Sequence, residues 1–470
     1  MKDYDIIIIG AGAAGLIGAR FAAQIGARVA LVERARIGGD CTWTGCVPSK
    51  ALIRAARSAH EARTGSRFGV KSSEVSIDWG ELQTFVHAKI DEIYAHTTPE
   101  QLTKEGIDVF IGECSFASPT KLSVAGHGTL TTKKFLICVG AEPTVPGIPG
   151  LESAPYLTYL NLFELKEQPQ SLIIIGAGPL GVEMAQAFQR LGTQVTLIDS
   201  GLFSREEPEV AVLMERRLRE EGVNFASGKV SLVVGIPTGV RVEIDGRFFE
   251  GERLLVSTGR HPRLEGLELE KAGVAFTAKG IEVDDSLRTS SPSIYACGDC
   301  IGSYQFSHYA GWQAFQVVRS ALLPGKGSGE TDLVPWCTFT DPEVARVGPL
   351  ELEAQTIHGS KLQVKTIPMT GVDRAVCEDD EGFIKLLHVG TRIVGATVVA
   401  ERAGELINEI ALAIKNNVGL DKLAGTIHAY PTYSTGLQLM ASQIATETFF
   451  DGTLGRIALK LSGLVKRGDQ

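Results

Sequence analysis

An α/β fold containing two similar strand–helix–strand units is predicted by three observations on the sequence. A short β-branched run, Asp5-Ile6-Ile7-Ile8-Ile9, leads directly into Gly10-Ala11-Gly12-Ala13-Ala14-Gly15 and an alanine-rich helical pattern through Gln24. The same order returns in Ser171-Leu172-Ile173-Ile174-Ile175, Gly176-Ala177-Gly178-Pro179-Leu180-Gly181 and a helical pattern through Arg190. A second strand follows each time and ends in an acid 23 positions past the first glycine: Arg28 to Val32 with Glu33, and Gln194 to Ile198 with Asp199.

Each element has a chemical reason to be there. Gly10 permits the tight turn, Gly12 lets the backbone approach a pyrophosphate, and Gly15 lets the helix pack close to the strand. The helix N-terminus offers unpaired N–H groups and a partial positive charge to the phosphates, and Glu33 can accept from a ribose hydroxyl. Gly176, Gly178, Gly181 and Asp199 repeat the set. Both units are therefore read as Rossmann-like dinucleotide-binding domains. Two cradles imply two dinucleotides, and hydride chemistry joins a nicotinamide to a flavin.

The rest of the composition sets bounds. At 470 residues the chain has room for about three domains. Hydrophobic residues at 44% and charged residues at 21% describe ordinary globular α/β material. A net charge of −9 argues against a nucleic-acid partner. The opening MKDYDIIIIGAG has an apolar run too short for a signal peptide, and no stretch approaches the ~18 apolar residues of a membrane span. Eight cysteines without framework spacing fit a reducing compartment, so a cytoplasmic protein is expected.

Two of those cysteines sit five positions apart in Gly38-Gly39-Asp40-Cys41-Thr42-Trp43-Thr44-Gly45-Cys46-Val47-Pro48-Ser49-Lys50. On a regular helix they would be separated by about 7.5 Å of rise and ~140° of rotation, so the pair needs distorted backbone, with Gly45 the source of freedom. A helix is expected to gather beyond Pro48, leaving Cys46 near its N-terminus and Lys50 one turn on, both of which favour a thiolate. Three uses stay open on the residues alone. A structural staple gains only about 2 kcal/mol from so short a loop. A zinc site wants a second ligand pair, and none stands at suitable spacing, so no metal is expected. A redox dithiol beside a flavin fits the neighbours best.

With these motifs the sequence resembles the pyridine nucleotide–disulfide oxidoreductases, the flavoproteins that include mercuric reductase, glutathione reductase and dihydrolipoamide dehydrogenase. The resemblance runs through both cradles, the cysteine segment, Ile137-Cys138-Val139-Gly140-Ala141-Glu142-Pro143, Ser257-Thr258-Gly259-Arg260, Tyr295-Ala296-Cys297-Gly298-Asp299 and Phe339-Thr340-Asp341-Pro342-Glu343-Val344-Ala345. It implies an FAD-binding domain at 1–150, an NAD(P)-binding domain at 151–270, a return to the FAD domain at 271–335 and a C-terminal α+β dimerisation domain at 336–470. It implies a homodimer, with Gly140 and Asp299 at the FAD and Gly259 at the nicotinamide nucleotide. Cys46 would be the thiolate facing the flavin and Cys41 the interchange thiol that attacks the acceptor. Lys50 and Glu183 would form an ion pair near the flavin and nicotinamide. Asp199 and Gly181 favour NAD(H) over NADP(H), with the Arg205 cation as the counter-argument.

The resemblance departs from the pattern near the C-terminal end. Where disulfide reductases carry a histidine before proline and a glutamate after it, this chain has Tyr430 and Thr435, with His428 two residues earlier. On extended backbone His428 and Tyr430 would point to the same side, making either a candidate proton carrier for Cys41. The sequence lacks a C-terminal cysteine pair and a metal-capture CxxC before the first cradle. The expected activity is therefore mercuric reductase-like, with a small-molecule acceptor (a disulfide, a quinone or a metal ion). The alternatives are a dihydrolipoamide dehydrogenase with a displaced base, a quinone reductase or transhydrogenase, and a flavin-bearing scaffold. Cys297 and Cys300 read as packing rather than a second redox pair. Cys114, Cys138, Cys337 and Cys377 read as small apolar fillers. Trp43 either shapes the substrate entrance or packs. The basic, leucine-bearing tail from Gly452 to Arg467 reads as a solvated or dimer-packed helix rather than a membrane contact.

Overall fold

Four consecutive isoleucines make a strand only where both faces are covered, and Ile6–Ile9 is buried throughout. It is the centre of a five-stranded parallel sheet, in the order Ile294–Ala296, Phe135–Ile137, Ile6–Ile9, Val29–Glu33, Ile107–Ile111. Ile7 lies in register between Ala30 and Phe135. Helix Ala13–Gln24 carries small residues, Ala14, Gly15, Gly18, Ala19 and Ala22, on its buried side. That lets it approach the sheet closely and pack beside helix Ser307–Leu322 over a shared apolar core. The computed structural model describes residues 3–325 and 327–462.

The second cradle repeats this plan. Its parallel sheet runs Tyr156–Leu157, Arg253–Val256, Ser171–Ile175, Gln194–Asp199, Asn224–Ser227, with helix Pro179–Leu191 following the glycine turn. The repeat goes further than the motifs: each half also carries an antiparallel meander. These are Cys114–Ser118, Lys121–Val124 and Gly128–Thr132 in the first, and Val230–Ile236, Gly239–Ile244 and Arg247–Gly251 in the second. Strand Ile294–Ala296 returns the chain to the first sheet after the second is complete.

The described residues gather into two compact units, 1–201 with 218–331, and 202–217 with 332–470. Both cradles share the first. The second is α+β: an antiparallel sheet Trp336–Thr338, Glu343–Val347, Arg392–Ala400, Phe383–Val389, Gln363–Pro368, packed with helices Ala403–Lys415 and Ser434–Asp451 around one apolar core.

Electrostatics explains why 202–217 belongs to this second unit. Lys385 lies in a core strand with only 3% of its side chain exposed, and its ammonium meets Glu207 at 3.2 Å, Glu209 at 2.8 Å and Glu351 at 2.7 Å. Arg346 meets Glu206 at 2.9 Å, both 8% exposed. A buried charge left unpaired costs several kcal/mol, so these carboxylates fix the segment in place. The Glu207, Glu209 and Glu351 cluster has the dimensions of a cation site, and the cation it closes on is Lys385.

Helix Thr453–Ser462 opens the basic tail, with Ile457 and Leu461 exposed; its continuation to Arg467 lies outside the described residues. No described helix is long and apolar enough to cross a membrane.

Candidate active site

The glycines of the two cradles divide into closing and open positions. Gly10 has φ +103°, and a Cβ there would stand 2.4 Å from the Cys138 carbonyl oxygen; one on Gly15 would stand 1.8 Å from the Gly10 carbonyl. Gly176 and Gly181 match them, with φ +107° and clashes at 2.5 and 1.9 Å. These four close helix onto strand. The middle glycines are different: a Cβ on Gly12 would come no nearer than 3.8 Å to anything, and one on Gly178 would meet nothing within 4 Å. Open backbone at a helix N-terminus is what a pyrophosphate requires, so the residues fit a dinucleotide in each cradle.

The terminal acids do something the sequence did not suggest. Glu33 accepts from the Ala11 N–H at 2.9 Å and from the Ala35 N–H at 2.9 Å. Asp199 accepts from the Ala177 N–H at 2.6 Å and from the Ser200 N–H at 2.6 Å. Each carboxylate thus reaches back to hold its own glycine turn. A carboxylate has about four acceptor sites, so capacity remains for a ribose hydroxyl.

Gly140 and Gly259 precede the two strands of a short ribbon, Ala141–Pro143 paired antiparallel with Arg260–Pro262. Arg260 extends from it to a small polar cluster. Its guanidinium donates to Asp299 Oδ2 at 2.7 Å and to Asp40 Oδ2 at 2.7 Å, and Nε donates to the Tyr159 hydroxyl at 3.3 Å. Tyr159 in turn donates to Asp40 Oδ2 at 3.0 Å. Burial raises the Asp299 carboxyl above its usual value despite the facing Arg260. Asp40 and Tyr159 were not singled out from the sequence. Asp40 meets Tyr159 and Arg260 across 119 and 220 residues, and no local pattern marks them.

Cys41 lies on the short helix Gly39–Trp43, and Cys46 is the first residue of helix Cys46–Thr64, with Gly45 as its cap. The helix therefore starts two residues before Pro48 rather than beyond it, because Gly45 breaks the preceding turn and both sulfurs can then converge. Both cysteines are free in the structure, and each is the largest influence on the other's acidity. A hydrogen bond donated by Cys41 lowers Cys46 to about 6; burial and the Glu183 charge oppose it, and Ser307 and Lys50 reinforce it. The same bond, together with burial, pushes Cys41 well above the usual thiol range. Ser307, first residue of helix Ser307–Leu322, places its hydroxyl 3.7 Å from Cys46 Sγ. Lys50 Nζ donates to Glu183 Oε2 at 2.9 Å, joining the helix after the cysteines to the helix of the second cradle.

Near the C-terminal end the two proton-carrier candidates part company. The chain between Thr426 and Tyr433 is neither helix nor strand, and the side chains go to different helices. The His428 ring is 7% exposed, with Nε2 at 2.7 Å from Glu409 Oε1 and Nδ1 at 3.0 Å from the Thr426 carbonyl. Burial works against the imidazolium, but Glu409 and Thr426 outweigh it and hold the pKa above its ordinary value. Tyr430 is 72% exposed and donates to Asp373 Oδ2 at 2.7 Å, which raises its pKa. Thr435, at the glutamate position, is buried and donates to the Thr432 carbonyl.

The remaining cysteines divide. Cys138, Cys297 and Cys300 are buried, and burial raises all three. Cys300 donates to the Cys297 carbonyl at 3.2 Å, and Cys138 to the Ile9 carbonyl at 3.3 Å. Neutral thiols bonded to backbone are packing groups. Cys377 is not a buried filler: it is exposed on helix Asp373–Glu378. Trp43 packs against Tyr94 at 5.0 Å, lies under Arg36 and donates to the Ile37 carbonyl at 2.8 Å.

A thiolate with these supports makes a direct prediction. In the reduced protein the thiolate ultraviolet absorbance should titrate with a midpoint near 6, present above it and lost as the pH falls through it. The signal should vanish in Cys46→Ser, and the midpoint should rise in Ser307→Ala.

Comparison with known proteins places the architecture. Residues 4–314 match the pyridine nucleotide-disulphide oxidoreductase model, and 334–441 match the dimerisation domain of the same family. The chain is 36% identical over 448 residues to the mercuric reductase of Bacillus cereus, covering 93% of this chain and 71% of the relative. It is 33% identical over 444 residues to the dihydrolipoyl dehydrogenase of Chlamydia muridarum, covering 91% and 94%. Among solved structures, the HOCl-induced flavoprotein disulfide reductase RclA from Escherichia coli superposes with a TM-score of 0.85 at 29% identity, covering 93% of this chain and 99% of that one. The chain belongs to the pyridine nucleotide-disulphide oxidoreductase family and is an FAD-dependent oxidoreductase.

Proposed function

We propose that the enzyme is mercuric reductase-like, passing electrons from a nicotinamide through a Cys41–Cys46 redox disulfide to a small acceptor. The observation that carries the reading is the acidity split between the two sulfurs, with Cys46 lowered to about 6 and Cys41 raised. Such a pair has one sulfur ready as a charged donor and one holding its proton. Bound FAD supplies the two-electron step between nicotinamide and the cysteine pair. Gly10, Gly12, Gly15, Glu33, Gly140 and Asp299 would hold it; Gly176, Gly178, Gly181, Asp199 and Gly259 would hold the nicotinamide nucleotide. Lys50 supports the Cys46 thiolate by charge, against the opposing charge of its partner Glu183.

With a disulfide acceptor, Cys41 Sγ gives up its proton and attacks one acceptor sulfur, expelling the other as a thiolate. Cys46 Sγ then attacks Cys41 Sγ, releasing the second thiolate and restoring the Cys41–Cys46 bond. The enzyme works as a homodimer in this reading, which the matched dimerisation domain supports.

A second reading, a dihydrolipoamide dehydrogenase with a displaced base, draws on the His428–Glu409 contact. A histidine beside a carboxylate is the kind of dyad that thiol oxidation uses.

Anaerobic two-electron reduction should give a long-wavelength charge-transfer absorption that Cys46→Ser removes and Cys41→Ser retains. The holoenzyme should then oxidise NADH with a disulfide or mercuric ion as acceptor. Turnover with quinones alone, undiminished in Cys41→Ser, would sink the reading.

Donor preference follows from charge. Asp199 would repel a 2′-phosphate, so kcat/KM should be higher for NADH than for NADPH. A clear NADPH preference contradicts this.

The proton carriers separate by half-reaction. With an identified disulfide, His428→Ala should slow the acceptor half-reaction at least tenfold if the second reading holds, because the imidazole must then leave Glu409 to serve Cys41. In the reductase reading His428→Ala changes that step little and Tyr430→Phe slows it. Rapid mixing resolves the two steps, and nicotinamide-to-flavin reduction should stay near wild type in both variants.

A further inference from the structure

Between Asp299 and the first redox cysteine the first unit contains a charge arrangement whose other members, Asp40, Tyr159 and Arg260, have no part in the reaction as described. Asp40 immediately precedes Cys41, and a single oxygen, Oδ2, takes both the Arg260 guanidinium at 2.7 Å and the Tyr159 hydroxyl at 3.0 Å. Its main-chain carbonyl accepts the Thr44 N–H at 2.9 Å, closing the turn between the two cysteines. Arg260 cannot drift, because its other arm is held by Asp299 at 2.7 Å and its plane lies over the Tyr159 ring at 5.1 Å. Tyr159 is 7% exposed. Charge-assisted hydrogen bonds to a partly buried carboxylate are the strong kind.

Cys46 has its own anchorage as the first residue of a 19-residue helix. Cys41 stands on a five-residue helix that has no comparable length of its own to hold it. We propose that Asp40 is a positioning residue for the interchange thiol: clamped by Arg260 and Tyr159, it keeps the backbone of Cys41 within closing distance of Cys46 after the disulfide opens. The inference rests on the redox role proposed for that pair. Ring closure between two thiols depends on their effective concentration, which falls when one end is loosened. Releasing Asp40 therefore favours the open dithiol.

The test is a thiol–disulfide equilibrium of the holoenzyme in anaerobic buffers of reduced and oxidised dithiothreitol, quenched by alkylation and read by mass spectrometry at Cys41 and Cys46. In the reducing direction the Cys41–Cys46 bond breaks and the reagent's own disulfide forms. Two electrons move from reagent to protein; of the two reagent protons, one goes to Cys41 and one to solvent as Cys46 becomes a thiolate. Asp40→Ala should shift the equilibrium toward the dithiol by about tenfold, about 30 mV for a two-electron couple. Asp40→Asn, which keeps an acceptor but loses the charge, should shift it less. Tyr159→Phe removes one bond from the same oxygen and should move it in the same direction, which keeps the test decisive should Asp40→Ala fold poorly. The charge-transfer absorption, which reports Cys46, should persist in all three.

A merely structural ion pair would lower the Tm of these variants and leave the equilibrium where it was; unchanged ratios beside a normally titrating wild type overturn the positioning role alone. A wild type that forms no Cys41–Cys46 disulfide in any buffer overturns the redox reading and the clamp with it.

Discussion

The contact on which the first unit depends is the ion pair between Lys50 and Glu183. Glu183 is 5% exposed and sits in the helix of the second cradle; Lys50 sits in the helix that Cys46 begins. A carboxylate so buried is tolerable only with a partner, since removing the partner of a buried charge costs about 3–5 kcal/mol. Satisfying Glu183 therefore ties the helix after the cysteines to the helix after the second glycine turn, and these helices pack along each other. The salt bridge links the two helices, and near Cys46 the Lys50 charge lowers the thiol pKa while Glu183 raises it.

The duplication of the cradles explains why their acids turn inward. A tight turn with an open central glycine is under-determined, because the residue that would fill it has been removed to admit a phosphate. Glu33 and Asp199 restore definition from the other side, each accepting the N–H of the residue after the first glycine. The acid is thus part of the turn before it is part of any ribose contact. This also tempers what Asp199 says about donor choice: a carboxylate already sharing its charge with three donors, Ala177 N–H, Ser200 N–H and the Ser200 hydroxyl, repels a phosphate less than a free one.

The sequence made legible whatever is written in neighbouring residues. Strand, glycine turn, helix and acid are consecutive, so the cradles emerged with their boundaries nearly in place: the helices end at Gln24 and Leu191, the strands at Glu33 and Asp199. What stayed hidden depends on residues brought together only by folding. Arg260 meets Asp40 across 220 positions, and Lys385 meets Glu207 across 178. His428 was read by its distance from Tyr430 along an extended chain, but its position is set by Glu409, on another helix. Period-two reasoning fails wherever the chain is neither strand nor helix, and Thr426 to Tyr433 is neither. The start of the cysteine helix is hidden for a related reason. Proline marks a first turn but does not say which residue of it, and the break at Gly45 decides.

The state of the proton carriers bears on the direction of the chemistry. Reduction of an acceptor disulfide ends in two thiols, so protons must be delivered to the departing sulfurs. Oxidation of an entering dithiol begins with protons that must be taken away. A group suited to the second task has a pKa at or below neutrality and a ring nitrogen or oxygen free to receive. In His428 both nitrogens are engaged, and Glu409 and Thr426 raise its pKa against the opposing effect of burial. Tyr430, exposed and held in its protonated form by Asp373, can only donate. Glu409 and Thr426 favour the protonated His428, Asp373 favours the protonated Tyr430, and Cys46 with burial favours the protonated Cys41. A dithiol with one sulfur already charged and the other protonated supports a reductase that sends electrons outward over a dehydrogenase that collects them.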